Sequence, residues 1–478
     1  MSIPFKELLD FDVATLSDKL HARDISPVEL TEAYLGRIER TDASIRAYIT
    51  VTDTLARKTA KKAEAEIAAG KWRGPFHGVP IALKDLVYTK NIRTTGGSKI
   101  LADFKPDHDA TVWKRLARAG SVLLGKLNLH EFAYGITSSN PHWGIVRNPY
   151  ALDRIPGGSS GGSAAAIVAR SAAATIGTDT GGSIRIPAAC CGCVGLKPTW
   201  SRVSRYGVLP LAYTLDHVGP ITRTVRDAAM MLQVIAGADR NDSTASRERV
   251  PDYSAALERD INGKRIGVIR ELNDGLSNEV ASSFAAALDT LKSLGAIIDE
   301  VTIPSLPFAG AMNGIITWAE ALEIHEDWMR TRPDDYGDDV RRLLETGMMT
   351  PATSYIRAQR ARARTLAEAL AVLANHDVLV APASAIVAPK IGTSQLFEAS
   401  QSRGDEEPVD VIGGILRFTQ PFDSTGQPAL AIPTGLSPAG LPIAMQIIGR
   451  PFGEPEVLHV AAAYERARGA LARPPELA

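Results

Sequence analysis

The chain has 478 residues, 45% of them hydrophobic and 22% charged, and a formal net charge of −1. This composition matches an average soluble globular protein and excludes a disordered or fibrous chain, and a charge so close to zero gives no overall field that attracts nucleic acid or an anionic membrane. The length exceeds the usual size of one domain, so composition leaves open two domains or one unusually large domain.

The start of the chain carries no targeting signal that we recognise. Residues 1–7 lack the basic start and the apolar run of a signal peptide. No uninterrupted apolar segment reaches the roughly 18 residues that a membrane-spanning helix requires. We therefore expect a cytoplasmic protein with no part in the membrane.

The N-terminal part, residues 1–70, is predicted to be helical. Ser26 followed by Pro27 is typical of a helix start, with the serine as N-cap and the proline in the first turn, and apolar residues recur at helical spacing up to Ile38. A second, charged helix is predicted over residues 53–69, with its charges on a solvated face.

From residue 79 onward, short apolar runs alternate with helical segments. Strands are predicted over residues 79–83 and 122–124, with a helix over residues 110–119 between them. Residues 164–169 predict a helix of small side chains that can pack closely against its neighbours. This alternation favours an α/β arrangement with strands packed between helices.

The second half of the chain continues the same pattern. Strands are predicted over residues 265–269, 296–298, 377–381, 429–432 and 443–448. Helices are predicted over residues 278–294 and, capped by Thr353 and Ser354, up to about residue 374. A turn over residues 437–440 joins the last two strands, and the polar residues 404–408 are expected to form an exposed loop.

Three short motifs together point to a hydrolytic site. Glycine and serine cluster in residues 157–163 (GGSSGGS) and 177–183 (GTDTGGS), downstream of Lys84 in the run VPIALKD. A serine nucleophile needs a base to take its proton and preorganised donors for the oxyanion, which the lysine and the glycine-rich backbone can supply. Residues 157–163 lack the Lys-Ser/Thr ending of a phosphate-binding P-loop, which argues against nucleotide binding.

These motifs resemble those of the amidase-signature family, in the same order, over about residues 76–199 and more weakly towards both termini. The resemblance implies a catalytic trio of Ser183 as nucleophile, Ser159 as a bridging serine in a cis peptide, and Lys84 as base. It implies an oxyanion hole formed by four backbone amides, those of Thr180, Gly181, Gly182 and Ser183. It also implies an acyl-side wall formed by Gly135, Ile136 and Thr137.

The chemistry of the trio makes demands on its surroundings. Lys84 can accept a proton near neutral pH only if its pKa lies far below the usual value of about 10.4, and burial would lower it. Asp85 follows on a strand and should point to the opposite face. Ser159 can relay the proton because a hydroxyl both donates and accepts hydrogen bonds. The alternative is that Ser159 and Ser160 only cap the next helix.

Other polar residues are expected to have structural roles. Asp179 and Arg185 flank the turn at Gly181 and Gly182 with opposite charges and should brace it by polar contacts. His130, His142 and His217 have no metal-like or triad-like partner at an informative spacing, so we expect core or surface histidines. Pocket width should depend on distant loops, including Trp318, Tyr355 and the region around Phe418.

Cys190, Cys191 and Cys193 crowd into one stretch with no second cluster to complete a zinc site. We expect reduced, buried thiols and no metal, and the alternatives are a reactive thiol or an adventitious metal contact.

The resemblance implies an amidase-signature α/β fold, with a mixed central sheet covered by helices on both faces, as a single domain over residues 1–478 with a catalytic core over about residues 76–235. It implies an amidase that hydrolyses small-molecule carboxylic amides, and esters or carbamates, through an acyl-enzyme without a cofactor. Homodimers are frequent in the family, so a homodimer is one expectation.

Two other functions are compatible with the motifs. One is a glutaminase that acts with partner subunits as the A-type component of glutamyl-tRNA(Gln) amidotransferase. Residues 418–428 argue against this function, because they resemble free-standing amidases more closely. The other is a catalytically silent scaffold, which the presence of all three catalytic side chains disfavours.

Overall fold

The computed structural model describes residues 5–393 and 411–475. In chain order its strands are β1 (Tyr48–Val51), β2 (Pro80–Lys84), β3 (Val122–Leu127), β4 (Ser139–Asn140), β5 (Gly144–Ile145), β6 (Ala174–Asp179), β7 (Val194–Lys197), β8 (His217–Thr222), β9 (Arg265–Ile269), β10 (Ile297–Val301), β11 (Val378–Pro382), β12 (Ala429–Leu436) and β13 (Pro442–Ile448).

The α-helices follow the same numbering along the chain. They are α1 (Phe5–Leu8), α2 (Val13–Ala22), α3 (Pro27–Ile45), α4 (Asp53–Ala68), α5 (Thr111–Arg118), α6 (Gly161–Val168), α7 (Arg185–Cys191), α8 (Val225–Ile235), α9 (Asn278–Ser293), α10 (Ala309–Thr331), α11 (Asp338–Met348), α12 (Ala352–Leu373), α13 (Val411–Ser424) and α14 (Glu454–Arg468). None of these helices combines the length and the apolar character needed to cross a membrane.

Eleven of the strands form one mixed sheet in the order β1-β3-β2-β6-β8-β7-β12-β13-β11-β9-β10. The β2 strand pairs in parallel with β3 and with β6, whereas β8 runs antiparallel to β6. The sheet therefore brings the end of β2 beside the end of β6, although about 95 residues separate them in the chain. The two glycine-rich motifs and the lysine motif meet at this edge.

Helices cover both faces of the sheet, because alternate side chains of each strand point to opposite sides. On β12, Leu430 and Ile432 enter the main core, where residues of α8 and α14 also pack. The intervening Ala431 contacts a separate cluster that contains Ala164 of α6 and Ala188 of α7. The α/β fold with helices on both faces is thus confirmed.

The small residues of α6 let it approach the sheet closely. A Cβ added at Gly162 would lie 2.3 Å from the carbonyl oxygen of Asn128, so no larger residue fits there without displacing backbone. Gly162 N also donates to that same oxygen at 3.1 Å. The close contact holds the start of α6, and the loop before it, against the end of β3.

Most predicted elements form within a few residues of their expected bounds. The Ser26 hydroxyl accepts from the amides of Val28 and Glu29, as predicted for an N-cap. The predicted cap at Thr353 and Ser354 is wrong: α12 begins at Ala352, and Pro351 occupies the N-cap without a side-chain hydrogen bond.

Three other expectations for the chain are changed or left open by the structure. The N-terminal part is helical but also contains β1, which extends the sheet because it pairs antiparallel with β3. The predicted loop over residues 404–408 lies outside the described residues. The single domain over residues 1–478, with its core over residues 76–235, stays a prediction.

Candidate functional site

Lys84 lies at the end of β2 and is completely buried. Its Nζ contacts Ser159 Oγ at 2.7 Å and Thr178 Oγ1 at 2.8 Å. Burial disfavours the ammonium and lowers the pKa of Lys84 to about 7, although the negative charges of Asp179 and Asp216 raise it in part. A large fraction of Lys84 is therefore neutral near pH 7 and able to accept a proton.

The neighbouring carboxylate does not pair with Lys84. Asp85 instead contacts Lys126 at 3.1 Å and accepts hydrogen bonds from the amide and hydroxyl of Thr95. This is the opposite orientation that the strand pattern predicts for adjacent residues. Within the described residues, the direct polar contacts of the Lys84 amine are therefore two hydroxyl groups and no carboxylate.

The two serines of the first glycine cluster have different contacts. Ser159 follows a cis peptide bond with Gly158, and its hydroxyl accepts from Lys84. Ser160 occupies the N-cap of α6 but makes no side-chain capping bond, and its hydroxyl instead donates to Thr178 O at 3.1 Å. The alternative in which both serines only cap the helix is therefore wrong.

Ser183 lies in the turn between β6 and α7 and is 6% exposed. Its carbonyl oxygen accepts from Ser160 N at 3.2 Å, which ties the two glycine-rich loops together. Its side chain lines a cavity that opens over the turn. The structure thus places the turn of Ser183 against the loop that carries Ser159, whose hydroxyl contacts Lys84.

The backbone amides of this turn are not equivalent. Gly182 N donates to Asp179 Oδ1 at 2.6 Å, with a positive φ of 131° at this glycine. The amides of Thr180, Gly181 and Ser183 have no acceptor within the described residues. Of the four amides predicted as oxyanion donors, the Gly182 amide already donates to Asp179, and the other three are free to take that role.

Asp179 and Arg185 brace the turn, as predicted. Arg185 is fully buried, and its guanidinium contacts Asp179 at 3.1 Å and Asp423 at 2.5 Å. Burial alone would raise the pKa of Asp179, but the charge and hydrogen bonds of Arg185 outweigh it and hold this pKa well below its usual range. The carboxylate stays ionised and also accepts from Ile184 N at 3.1 Å.

Two distant side chains hold the carbonyl side of the same turn. Asn313 Nδ2 on α10 donates to Thr180 O at 3.2 Å. Thr419 Oγ1 on α13 donates to Gly181 O at 2.6 Å. The sequence contains no signal for either contact, because the partners lie 133 and 238 residues apart in the chain.

A cavity of about 550 Å³ lies over Ser183. Its apolar lining comes from Ala133, Tyr134, Ile136, Ile155, Leu211, Trp318, Leu343, Ile415 and Leu416. The predicted wall residues Gly135, Ile136 and Thr137 all line it, and so does Trp318. Tyr355 does not line it and instead donates to Glu320 at 2.8 Å. Phe418 is buried in a core cluster, and its neighbours on α13 line the cavity in its place.

His130 is buried, as expected for a core histidine, and it also lies in the cavity wall. Its Nε2 contacts Asp339 Oδ2 at 2.9 Å, and its Nδ1 contacts Thr137 Oγ1 at 3.3 Å. Asp339 lies 209 residues further along the chain, so the pair could not be recognised from spacing. His142 contacts Glu131, and His217 is buried beside Lys197, in agreement with structural roles.

The three cysteines are free and buried. Burial raises the pKa of Cys190 to about 12, which keeps this thiol protonated and unreactive at neutral pH. Across residues 5–393 and 411–475, no group of three His, Cys, Asp or Glu side chains is arranged to hold a metal ion.

A sequence profile of the amidase family matches residues 29–458. The chain belongs to the amidase family. This confirms the resemblance in the motifs and places the protein among enzymes that act on carbon–nitrogen bonds.

The relatives include both amidotransferase components and amidases. The A-type subunit of glutamyl-tRNA(Gln) amidotransferase from Geobacter metallireducens is 41% identical over 486 residues, covering 96% of this chain and 98% of that protein. A structure described as a vestigial protein complex that reveals the origins of an s-triazine catabolic enzyme has a TM-score of 0.89 at 34% identity, covering 95% of this chain and 98% of that one. A peptide amidase in complex with its competitive inhibitor chymostatin has a TM-score of 0.84 at 33% identity, covering 98% and 99%.

Proposed function

We propose that this amidase-family protein cleaves carboxylic amides through an acyl-enzyme on Ser183. The observation that carries the proposal is the fully buried Lys84 amine, 2.7 Å from the Ser159 hydroxyl, in the same site as a serine that lines the cavity. A pKa of about 7 for Lys84 suits a general base at neutral pH. No cofactor is required for this chemistry.

The proposed reaction begins when Ser183 Oγ attacks the amide carbonyl carbon. Its proton passes to the Ser159 hydroxyl as the Ser159 proton passes to neutral Lys84. The negative charge that develops on the carbonyl oxygen is stabilised by the free amides of Thr180, Gly181 and Ser183. The tetrahedral intermediate then collapses: the C–N bond breaks, and the leaving nitrogen receives the proton back through Ser159.

Water completes the proposed cycle. It attacks the acyl carbon of the ester on Ser183 and gives its proton to the same relay, and the Ser183 oxygen leaves and recovers a proton. Esters and carbamates present the same carbonyl geometry, so we expect the protein to hydrolyse them as well.

The volume and lining of the cavity support the proposal that the protein is a free-standing amidase with an apolar substrate. A volume of about 550 Å³ is within the range of pockets that hold small organic molecules. Leu343, Leu416 and Trp318 contribute apolar surface to it. These side chains favour an amide with a bulky apolar group and would contribute little to binding a small, fully charged substrate.

A second candidate is a glutaminase that works as the A-type component of an amidotransferase. The identity of 41% to the Geobacter metallireducens protein over nearly the whole chain supports this function, and the named relatives favour it over the free-standing amidase. The cavity also contains two charged side chains, Asp339 and Lys390, which are of the kind that the ammonium and carboxylate of glutamine require. In this function the chain would work in a complex with partner subunits.

The first experiment compares wild-type protein with Ser183→Ala on aliphatic amides, aryl amides, carbamates, esters and glutamine. We expect turnover to fall by at least about 10⁴ in the variant, with unchanged unfolding. A fluorophosphonate probe should label the wild-type serine only. A protein that neither labels nor turns over any substrate would contradict the proposal and favour a silent scaffold.

The same panel separates the two candidates. Hydrolysis of apolar amides by the isolated chain supports the free-standing amidase. Glutaminase activity that appears only with a co-purified partner, recovered in a native pull-down, supports the amidotransferase component. Light scattering of the isolated chain tests the homodimer, which stays a prediction.

A further inference from the structure

The turn that carries Ser183 contains a peptide bond between two glycines, Gly181 and Gly182. A peptide plane flanked by glycines rotates easily, because neither residue has a Cβ to restrict its backbone angles. This plane lies directly between the amides of Gly181 and Ser183, two of the three proposed oxyanion donors. Rotation of the plane would change the direction and separation of those two N–H groups.

The structure holds this plane at both ends. On one side, Gly182 N donates to Asp179 Oδ1 at 2.6 Å. On the other, Gly181 O accepts from the Thr419 hydroxyl at 2.6 Å. A second contact of this hydroxyl, to Leu416 O, is longer at 3.4 Å. Because a hydroxyl has a single proton to donate, the short bond to Gly181 is the one it makes.

The position of Thr419 is itself constrained. Its side chain is fully buried, and its carbonyl oxygen accepts from Arg185 Nη2 at 3.0 Å. Arg185 in turn pairs with Asp179, so a closed chain of contacts connects the two ends of the plane. A Cβ added at Gly182 would lie 2.1 Å from Thr419 Oγ1. The Thr419 hydroxyl therefore fits at this position only because residue 182 is a glycine.

We infer that Thr419 is a positioning residue for the proposed reaction. By donating to Gly181 O, it holds the Gly181–Gly182 plane so that the flanking amides stay directed at one point. Without this donor the Gly181 oxygen would take another partner, and the plane would sample rotated states in which the donors diverge. The inference rests on the proposed function, since it concerns the donors of the oxyanion.

The inferred role extends to the substrate cavity. Helix α13 carries Thr419 against the turn and places Leu416 and Gln420 in the cavity wall. One helix therefore both lines the cavity and contacts the backbone of the turn that carries Ser183. We expect the effect of Thr419 to appear in the chemical step, because its own side chain does not line the cavity.

The test compares three variants by their kcat, KM and pH midpoint on the best amide substrate. Thr419→Val keeps the shape of the side chain and removes the hydroxyl, whereas Thr419→Ser keeps the hydroxyl. Thr290→Val is the control for the loss of a threonine hydroxyl outside the site, because Thr290 Oγ1 donates to Ala286 O at 3.0 Å on helix α9.

We expect Thr419→Val to lower kcat about tenfold, with KM within about twofold and the pH midpoint unchanged. Thr419→Ser and Thr290→Val should keep at least about half of the wild-type kcat. The rate of fluorophosphonate labelling should fall in parallel with kcat, because the phosphoryl oxygen uses the same donors. If Thr419→Val does not fold, Thr419→Ala carries the same test with the same expected values.

Three outcomes would overturn the inference: a folded Thr419→Val with wild-type kcat, an equal loss in Thr419→Ser, or a loss confined to KM. Failure of the proposed function is distinguishable, because wild-type protein would then show no labelling or turnover that depends on Ser183. Wild-type reaction at Ser183 together with full activity of Thr419→Val would refute only the role of Thr419.

Discussion

The protonation state of Lys84 should set the pH dependence of the reaction at Ser183. With its pKa near 7, about half of the lysine is neutral at pH 7, whereas a lysine with the usual pKa of about 10.4 is neutral to only about 0.04%. Burial therefore increases the concentration of the reactive base by about 10³. The rate should fall about tenfold for each pH unit below the midpoint and level off about one unit above it.

The assay is the rate of fluorophosphonate labelling of Ser183 between pH 5 and pH 9, which reports the attack without product release. Lys84→Arg should label slowly at every pH, because a guanidinium stays protonated. Asp216→Asn should shift the midpoint to lower pH, because it removes a negative charge that raises the pKa of Lys84.

A second buried lysine provides the control. Burial also lowers the pKa of Lys197 to about 7, but this residue contacts His217 and not the serines. Lys197→Met should keep the wild-type midpoint. A rate that is independent of pH, a midpoint above about pH 9, or a midpoint that moves only with Lys197 would refute the assignment of Lys84 as base.

Two further substitutions test the buried ion pairs below the turn and the wall of the cavity. Arg185→Met leaves the buried carboxylates of Asp179 and Asp423 without their shared cation. We expect this change to reduce the free energy of unfolding, measured in urea, by about 3–5 kcal/mol. A loss below about 1 kcal/mol would contradict this expectation. Gly135→Ala places a Cβ 2.2 Å from the His130 ring, so the ring must move away from its carboxylate partner. We expect KM to rise about tenfold with unchanged unfolding, and an unchanged KM would show that this wall does not contact the substrate.

The linear sequence was sufficient to propose the trio and to predict seven of the thirteen described strands. Lys84, Ser159 and Ser183 lie in short motifs that combine a possible base or nucleophile with small residues. This combination indicates a hydrolytic site. Buried strands such as β2 are recognised because their residues are almost all apolar. Local steric and hydrophobic rules act over a few residues, so they can be read along the chain.

The contacts that complete the site required the tertiary structure. The pairing of His130 with Asp339, the donation from Thr419 to Gly181 O and the link from Arg185 to Asp423 each join residues more than 200 positions apart. The sheet order decides which distant elements become neighbours, and no local pattern encodes that order.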